Sequence, residues 1–309
     1  QLPIVYVQTV VNKNAAGELA LMEKSGKPID GLPLSKHNSH IFSPSIAVGS
    51  DGTLHVAFCE AQAVPPYAYF VYYRSSTDGG ATWSEAKNLS EGLPDTGISR
   101  CQVLVDSKNR AYVLWRSDFS PGTMAQTVQE YRVAGNRYNL VYRVLDAGRW
   151  SPLTPISHPC SPKKQDDGMA TWFAGVDPHG VIQAAWNVSQ FPYHPELFNG
   201  QPIYDGRSLV CAAALDGAAV ATAREVYRCP VKAATFNPAF QKVDDLDVID
   251  GYFDAAGQPH LVTVALDGEK RVDNTPLVLI ESGKQVPVLD LPGPEAQVWM
   301  NRPPVLLDA

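Results

Sequence analysis

The chain is short of charge: only 18% of its 309 residues are Asp, Glu, Lys or Arg. Hydrophobic residues make up 45%, so this scarcity does not describe a disordered, self-solvating chain. Positive charge is the rarer sign, with 25 Lys and Arg against 32 Asp and Glu and a net charge of −7. That balance argues against a polyanionic partner such as nucleic acid or an anionic membrane surface. No apolar run approaches the roughly 20 residues of a membrane span. At Gln1 there is neither a basic n-region nor an apolar h-region. The five cysteines, Cys59, Cys101, Cys160, Cys211 and Cys229, include no C-x-x-C and no zinc-ligand spacing. Their odd number leaves at least one thiol unpaired. Cys211 and Cys229 flank what reads as one hairpin, which is compatible with a disulfide or with two buried thiols.

Turn-forming residues are plentiful. Gly (23) and Pro (25) are scattered along the chain, as many short strands joined by many turns require. Four segments share one pattern, an apolar run, a turn with Asp or Gly, and a second apolar run: 43–60, 101–117, 171–189 and 247–265. Asp106, Asp177 and Asp254 hold one position in the last three, and Asn109, Gly180 and Gly257 follow three residues later. The first segment carries Gly49 and Gly52 there. His55, Tyr112, Gln183 and His260 then open the second runs, a recurrence that favours a structural role for both histidines. Asp suits such a turn by accepting backbone N–H groups two residues on, and Gly or Asn by tolerating φ > 0.

A second, looser hairpin follows each pair, so the repeat is four antiparallel strands. Four-stranded repeats read as an all-β fold, a β-propeller of four-stranded antiparallel blades. The C-terminal "RPPVLLDA" resembles a first strand and the N-terminal "LPIVYVQTVV" a second. Together they supply a fifth blade, closed by the N- and C-terminal strands, within one β-propeller domain spanning 1–309.

Residues 73–85, "YRSSTDGGATWSE", carry Ser76, Asp78, Gly80, Thr82 and Trp83 at fixed offsets, echoed by Asp146, Gly148 and Trp150. This stretch resembles the Asp-box, or BNR repeat, of sialidase-like propellers. Its residues suit a tight reversal: Asp78 accepts turn N–H groups, Gly80 takes φ > 0, and Trp83 buries a ring beneath the turn. The resemblance implies that the box is a fold device away from any site. It also implies a site at one end of a central channel, lined by loops entering first strands and loops joining second to third strands.

On those loops stand Glu60, Asp118 and Asp247 as candidate catalytic carboxylates. His40, Arg100, Arg116, Asn187, Trp299 and Arg302 are candidate substrate contacts. The arginines read equally well as ion-paired scaffold. Glu60 stands out because the equivalent positions are Ser117, Val188 and Ala265, so no other repeat has a carboxylate there. That asymmetry favours one site over a repeated one. The resemblance implies an extracellular carbohydrate-active protein, a glycoside hydrolase using an acid and a second carboxylate. A non-catalytic sugar-binding propeller (a lectin) and a polysaccharide lyase are the alternatives. The expected partner is a carbohydrate or polysaccharide. No cofactor and no metal are expected, the expected state is a monomer, and the expected location is secreted or periplasmic.

Overall fold

The computed structural model describes residues 4–11, 17–23, 40–61, 69–91, 100–117, 139–156, 165–168, 172–198, 201–204, 207–228, 235–237, 240–242, 245–266, 277–281 and 284–289. Every regular element among them is a β-strand, and every pairing between strands is antiparallel. The chain divides into two compact units, residues 1–124 with 138–156, and residues 125–137 with 157–309.

In the first unit, β1 (Ile4–Val11) and β2 (Gly17–Glu23) pair as a hairpin that lies against the next strand, β3 (His40–Val48). A four-stranded meander follows: β3, β4 (Leu54–Ala61), β5 (Tyr69–Ser76) and β6 (Lys87–Asn88). A second meander contains β7 (Cys101–Val105), β8 (Ala111–Ser117), β9 (Asn139–Asp146) and β10 (Arg149–Trp150), with β11 (Thr154–Pro155) also on β9. The first strands of the two sheets, β3 and β7, are neighbours. Between the sheets lies a core of Ala57, Cys59, Val71, Tyr73, Leu89, Cys101, Val103, Val113, Trp115 and Val141. Alternation explains the selection. Odd positions of β4 and β8 meet the partner sheet, while Leu54, Val56, Tyr112 and Leu114 are buried on the other faces.

In the second unit, β12 (Gln165–Gly168) and β13 (Trp172–Val176) both pair with the long β14 (Ile182–Phe198). On its other side β14 meets β15 (Gln201–Tyr204) and then β16 (Arg207–Asp216). β17 (Ala219–Val220) and β18 (Arg224–Arg228) complete that sheet on β16. β19 (Thr235–Asn237) and β20 (Phe240–Lys242) form a small hairpin. The last meander is β21 (Asp245–Phe253), β22 (Pro259–Leu266), β23 (Leu277–Glu281) and β24 (Lys284–Leu289). Phe173, Ala185, Val210, Ala212, Tyr227, Phe253 and Leu261 form the core between the two large sheets, with Phe173 and Phe253 stacked at 5.5 Å.

The repeated turn is the same object four times. In each, the first residue donates its N–H to the carbonyl four residues on, and its own carbonyl accepts from the residue three on: Gly49/Gly52, Asp106/Asn109, Asp177/Gly180 and Asp254/Gly257. The latter residue has φ of +83, +61, +77 and +68 in turn. Asp106 Oδ1 accepts the N–H of Lys108 and Arg110, Asp177 Oδ1 that of His179 and Val181, and Asp254 Oδ1 that of Ala256 and Gln258. The second oxygen meets the residue six positions on: the Tyr112 hydroxyl, the Gln183 amide or the His260 ring. The first turn has Gly49 at the Asp position, and its Asp51 accepts the Thr53 N–H at 2.9 Å. There the Asn109 carbonyl oxygen fills the space, and a Cβ on Gly49 would lie 2.6 Å from it. Asn109 accepts from the Ser50 N–H at 2.8 Å, so one turn is bolted to the other. His55 bonds Tyr73 at 2.6 Å instead of a carboxylate. His260 thus serves its turn, whereas His55 ties β4 to β5.

The Asp78 stretch is also a turn device. Ser76 Oγ donates to Asp78 at 2.7 Å and accepts the Gly80 N–H at 2.8 Å; Asp78 accepts the Thr82 N–H and hydroxyl at 2.9 and 2.5 Å. Trp83 is half-buried and not sealed beneath the turn, because its ring nitrogen reaches back to the Gly80 carbonyl at 3.1 Å. Cys59, Cys101 and Cys211 form no disulfide, so Cys211 is a thiol. Cys229 and the terminal segment 303–308 lie outside the described residues.

Candidate functional site

Glu60 sits at the end of β4 away from the repeated turn. Its register partner on β3 is Ile41, and His40 pairs one step beyond, with Ala61. Near this end β3 carries an irregularity between Phe42 and Ser45, with Ser43 at φ +53. A non-glycine residue there costs roughly 1–3 kcal/mol and persists only when its surroundings enforce it. The enforcement comes from β7. Ser43 Oγ accepts the Cys101 N–H at 3.2 Å, Cys101 Sγ donates to the Ser43 carbonyl at 3.2 Å, and Ser45 Oγ accepts the Val103 N–H at 3.0 Å. These side chains dock β3 onto β7 and bring the Glu60 end of one sheet beside the Arg100 end of the next.

Arg100 precedes β7, and its carbonyl accepts the Arg116 N–H at 3.3 Å. The two half-buried arginines therefore stand across from each other at adjacent strand ends. The contact between them is made by the main chain. Glu60 has a different setting. It is 5% exposed and shares the face of its sheet with Phe58 and Tyr72, which stack at 5.7 Å, and Phe70 lies 6.2 Å from Tyr72. Burial, and then the charges of Glu60 and Glu91, push the Tyr72 hydroxyl upward.

The strand ends coincide, but the side chains part. Ala57 and Cys59 of β4, and Val113 and Trp115 of β8, all enter the core between the sheets. Glu60 and Arg116 alternate with them, so they leave by the two outer faces of this pair of sheets. The structure thus brings Arg100 and Arg116 together and sets Glu60 on the far side of the intervening core.

Asn187 and Asp247 belong to the second unit. Both lie within strands, not in loops, opposite Val210 and Val264 respectively. The stretch that follows Asn187, which was expected on a loop joining a second strand to a third, is mostly strand because β14 runs on to Phe198. Asp118, Trp299 and Arg302 lie outside the described residues. Sequence reasoning missed the Ser43 and Ser45 contacts and the aromatic wall beside Glu60. The alternation Phe58-x-Glu60 facing Phe70-x-Tyr72 was the available signal.

No family model and no curated protein matches this chain. Solved structures do show similarity. The α-L-arabinanase of Penicillium chrysogenum matches at 12% identity and a TM-score of 0.47, over 93% of this chain and 81% of that one. The α-L-arabinofuranosidase Arb93A of Fusarium graminearum matches at 11% and 0.45, over 92% and 80%. The Hadza microbial sialidase Hz136 matches at 13% and 0.43 over 88% of this chain, which spans about half (54%) of the sialidase. At these identities no catalytic position transfers to this chain.

Proposed function

We propose that the four-stranded sheets are blades of a single β-propeller, five in number and closed by the terminal strands, and that the protein is an extracellular glycoside hydrolase. The observation that supports the chemistry is Glu60. Among the described residues the buried carboxylates are Glu60, Asp106 and Asp177, and both aspartates are consumed by turns. Glu60 lies at the opposite end of its strand and takes part in no turn. Its aromatic surroundings exclude water, the setting in which a carboxyl group exchanges a proton with a glycosidic oxygen efficiently. A second carboxylate, acting as base or nucleophile, completes the reaction. Asp118 is the candidate in the same unit.

The test is Glu60→Gln, assayed by product analysis on a panel of oligosaccharides and polysaccharides. Turnover should disappear while the melting temperature stays within a few degrees of the wild type. Glycan binding without turnover in either form would replace the hydrolase reading with a lectin. Unimpaired turnover in the variant would remove Glu60 from the mechanism.

A further inference from the structure

His55 is a buried imidazole with one ring nitrogen left over. It is 5% exposed near the start of β4. Its Nδ1 meets the Tyr73 hydroxyl at 2.6 Å. Its Nε2 is buried with no hydrogen-bond partner among the described residues. Neutral imidazole tolerates this setting, because the Tyr73 hydroxyl serves Nδ1 either as donor or as acceptor. Imidazolium does not: both ring nitrogens then donate, and the positive charge is shut away from water. Burial accordingly holds His55 below its ordinary 6.5, against the weaker pull of Asp51.

Among the described residues, the groups around the ring offer little compensation for a proton. Burial pushes the Tyr73 hydroxyl up to about 12, so it stays neutral. Asp51, on the turn leading into β4, is exposed, and its Oδ1 accepts the Thr53 N–H. Arg74 of β5 alternates to the opposite face from Tyr73 and is held by the Ser84 and Trp83 carbonyls. β3 carries no ionisable side chain from Ser43 to Val48. On β7 the ionisable group is the Cys101 thiol, which donates to the Ser43 carbonyl. On β4 the Cys59 thiol shares the face of His55. At the turn after β7, Asp106 and Arg110 bond each other, while Lys108, Asp146 and Arg149 are exposed.

The same histidine stands at a joint. The Tyr73 ring meets Trp150 edge-on at 4.8 Å, and Trp150 belongs to the other sheet of the first unit. Cys59 and Cys101 are buried in the core that these rings border. We propose that His55 is an acid-operated latch, whose protonation releases Tyr73 and opens the seam between the two sheets of the first unit. The sign follows from burial. A histidine held low in the folded state favours the closed seam above 6.5, and that advantage is lost as pH falls below it.

The test labels the full chain with 4,4′-dithiodipyridine, which reacts with thiols in acid as well as at neutrality, and maps the labelled peptides by mass spectrometry at about pH 7 and about pH 5. The two seam thiols, Cys59 and Cys101, are the reporters, and Cys211 in the second unit normalises the reagent. Against an open-state value of 6.5, that change in pH favours proton-linked opening by at most about 25-fold. Normalised labelling of both seam thiols should therefore rise by more than about twofold and up to that limit. His55→Gln cannot titrate, keeps a partner for Tyr73, and places an amide where another repeat has Gln183. Its labelling should change by less than about twofold. A wild type that changes as little, or a rise that persists in His55→Gln, would overturn the latch. The wild type also decides the matter alone: followed across the range, its labelling must have a midpoint below 6.5, and a midpoint above it would overturn the latch without any variant.

Discussion

Replacing Asp106 by Ala should be among the most damaging single changes in the first unit. The carboxylate is 7% exposed. Its Oδ1 accepts the N–H of Lys108 and Arg110 at 2.9 Å each. Its Oδ2 takes Arg110 Nε at 2.7 Å, Nη2 at 2.6 Å and the Tyr112 hydroxyl at 3.1 Å. Water can take over at the N–H of exposed Lys108, so that bond is cheaply lost. The other losses are larger: the Tyr112 ring is 0% exposed and the Arg110 side chain 13%. Removing one member of a buried charged pair costs about 3–5 kcal/mol. Asp106→Asn keeps an acceptor for the backbone and loses the ionic bond, so it should cost roughly half as much. Asp254→Ala removes the same turn contacts, but that side chain is 38% exposed and its His260 contact is 3.3 Å, so its loss should be clearly smaller. Urea unfolding followed by far-ultraviolet circular dichroism ranks the three variants by midpoint. An Asp254 variant as unstable as Asp106→Ala, or an Asp106→Ala loss below about 1 kcal/mol, would refute the idea that burial sets the worth of this repeated turn.

Trp115, 0% exposed between the two sheets of the first unit, should cost about 3–5 kcal/mol on truncation to Ala, and a calorimetric loss below a third of that would contradict the core assignment. Asn109→Gly should keep the turn and lose the bonds to Ser50, whereas Asn109→Ala loses the same bonds and keeps a Cβ at φ +61, so it should be less stable than the Gly variant by about 1–2 kcal/mol; equal stabilities of the two variants would show that the left-handed conformation is relieved. The Thr82 hydroxyl, then the Thr82 N–H and Ser76, hold Asp78 down to about 2 from 3.8. A depressed carboxylate contributes stability that is complete above the unfolded value and is lost as pH falls through the folded one. Asp78→Asn should therefore flatten the stability-versus-pH curve between 3.8 and about 2, and an unchanged acid limb would refute that contribution.

What the sequence by itself determined was local. The turns at Asp106, Asp177 and Asp254 close through bonds spanning at most six residues, so the residues that make them also announce them. The four-stranded meanders follow, because each hairpin pairs neighbours in the chain. Glu60 was legible as a carboxylate that the other repeats lack. The tertiary structure alone decided the remainder. Ser43 and Ser45 reach β7 across 58 residues, and Asn109 fills a gap left by Gly49 in another hairpin; no local pattern encodes either contact. Pro192 and Pro195 make the run after Asn187 read as a loop, since proline gives no ladder donor. Yet Pro192 pairs opposite Gln165, and Pro195 falls where the register shifts, so the strand carries both. The same holds for the separation of Glu60 from Arg116. Alternation gives each strand two faces, but only the packing of Cys59 and Trp115 into one core determines which face turns inward.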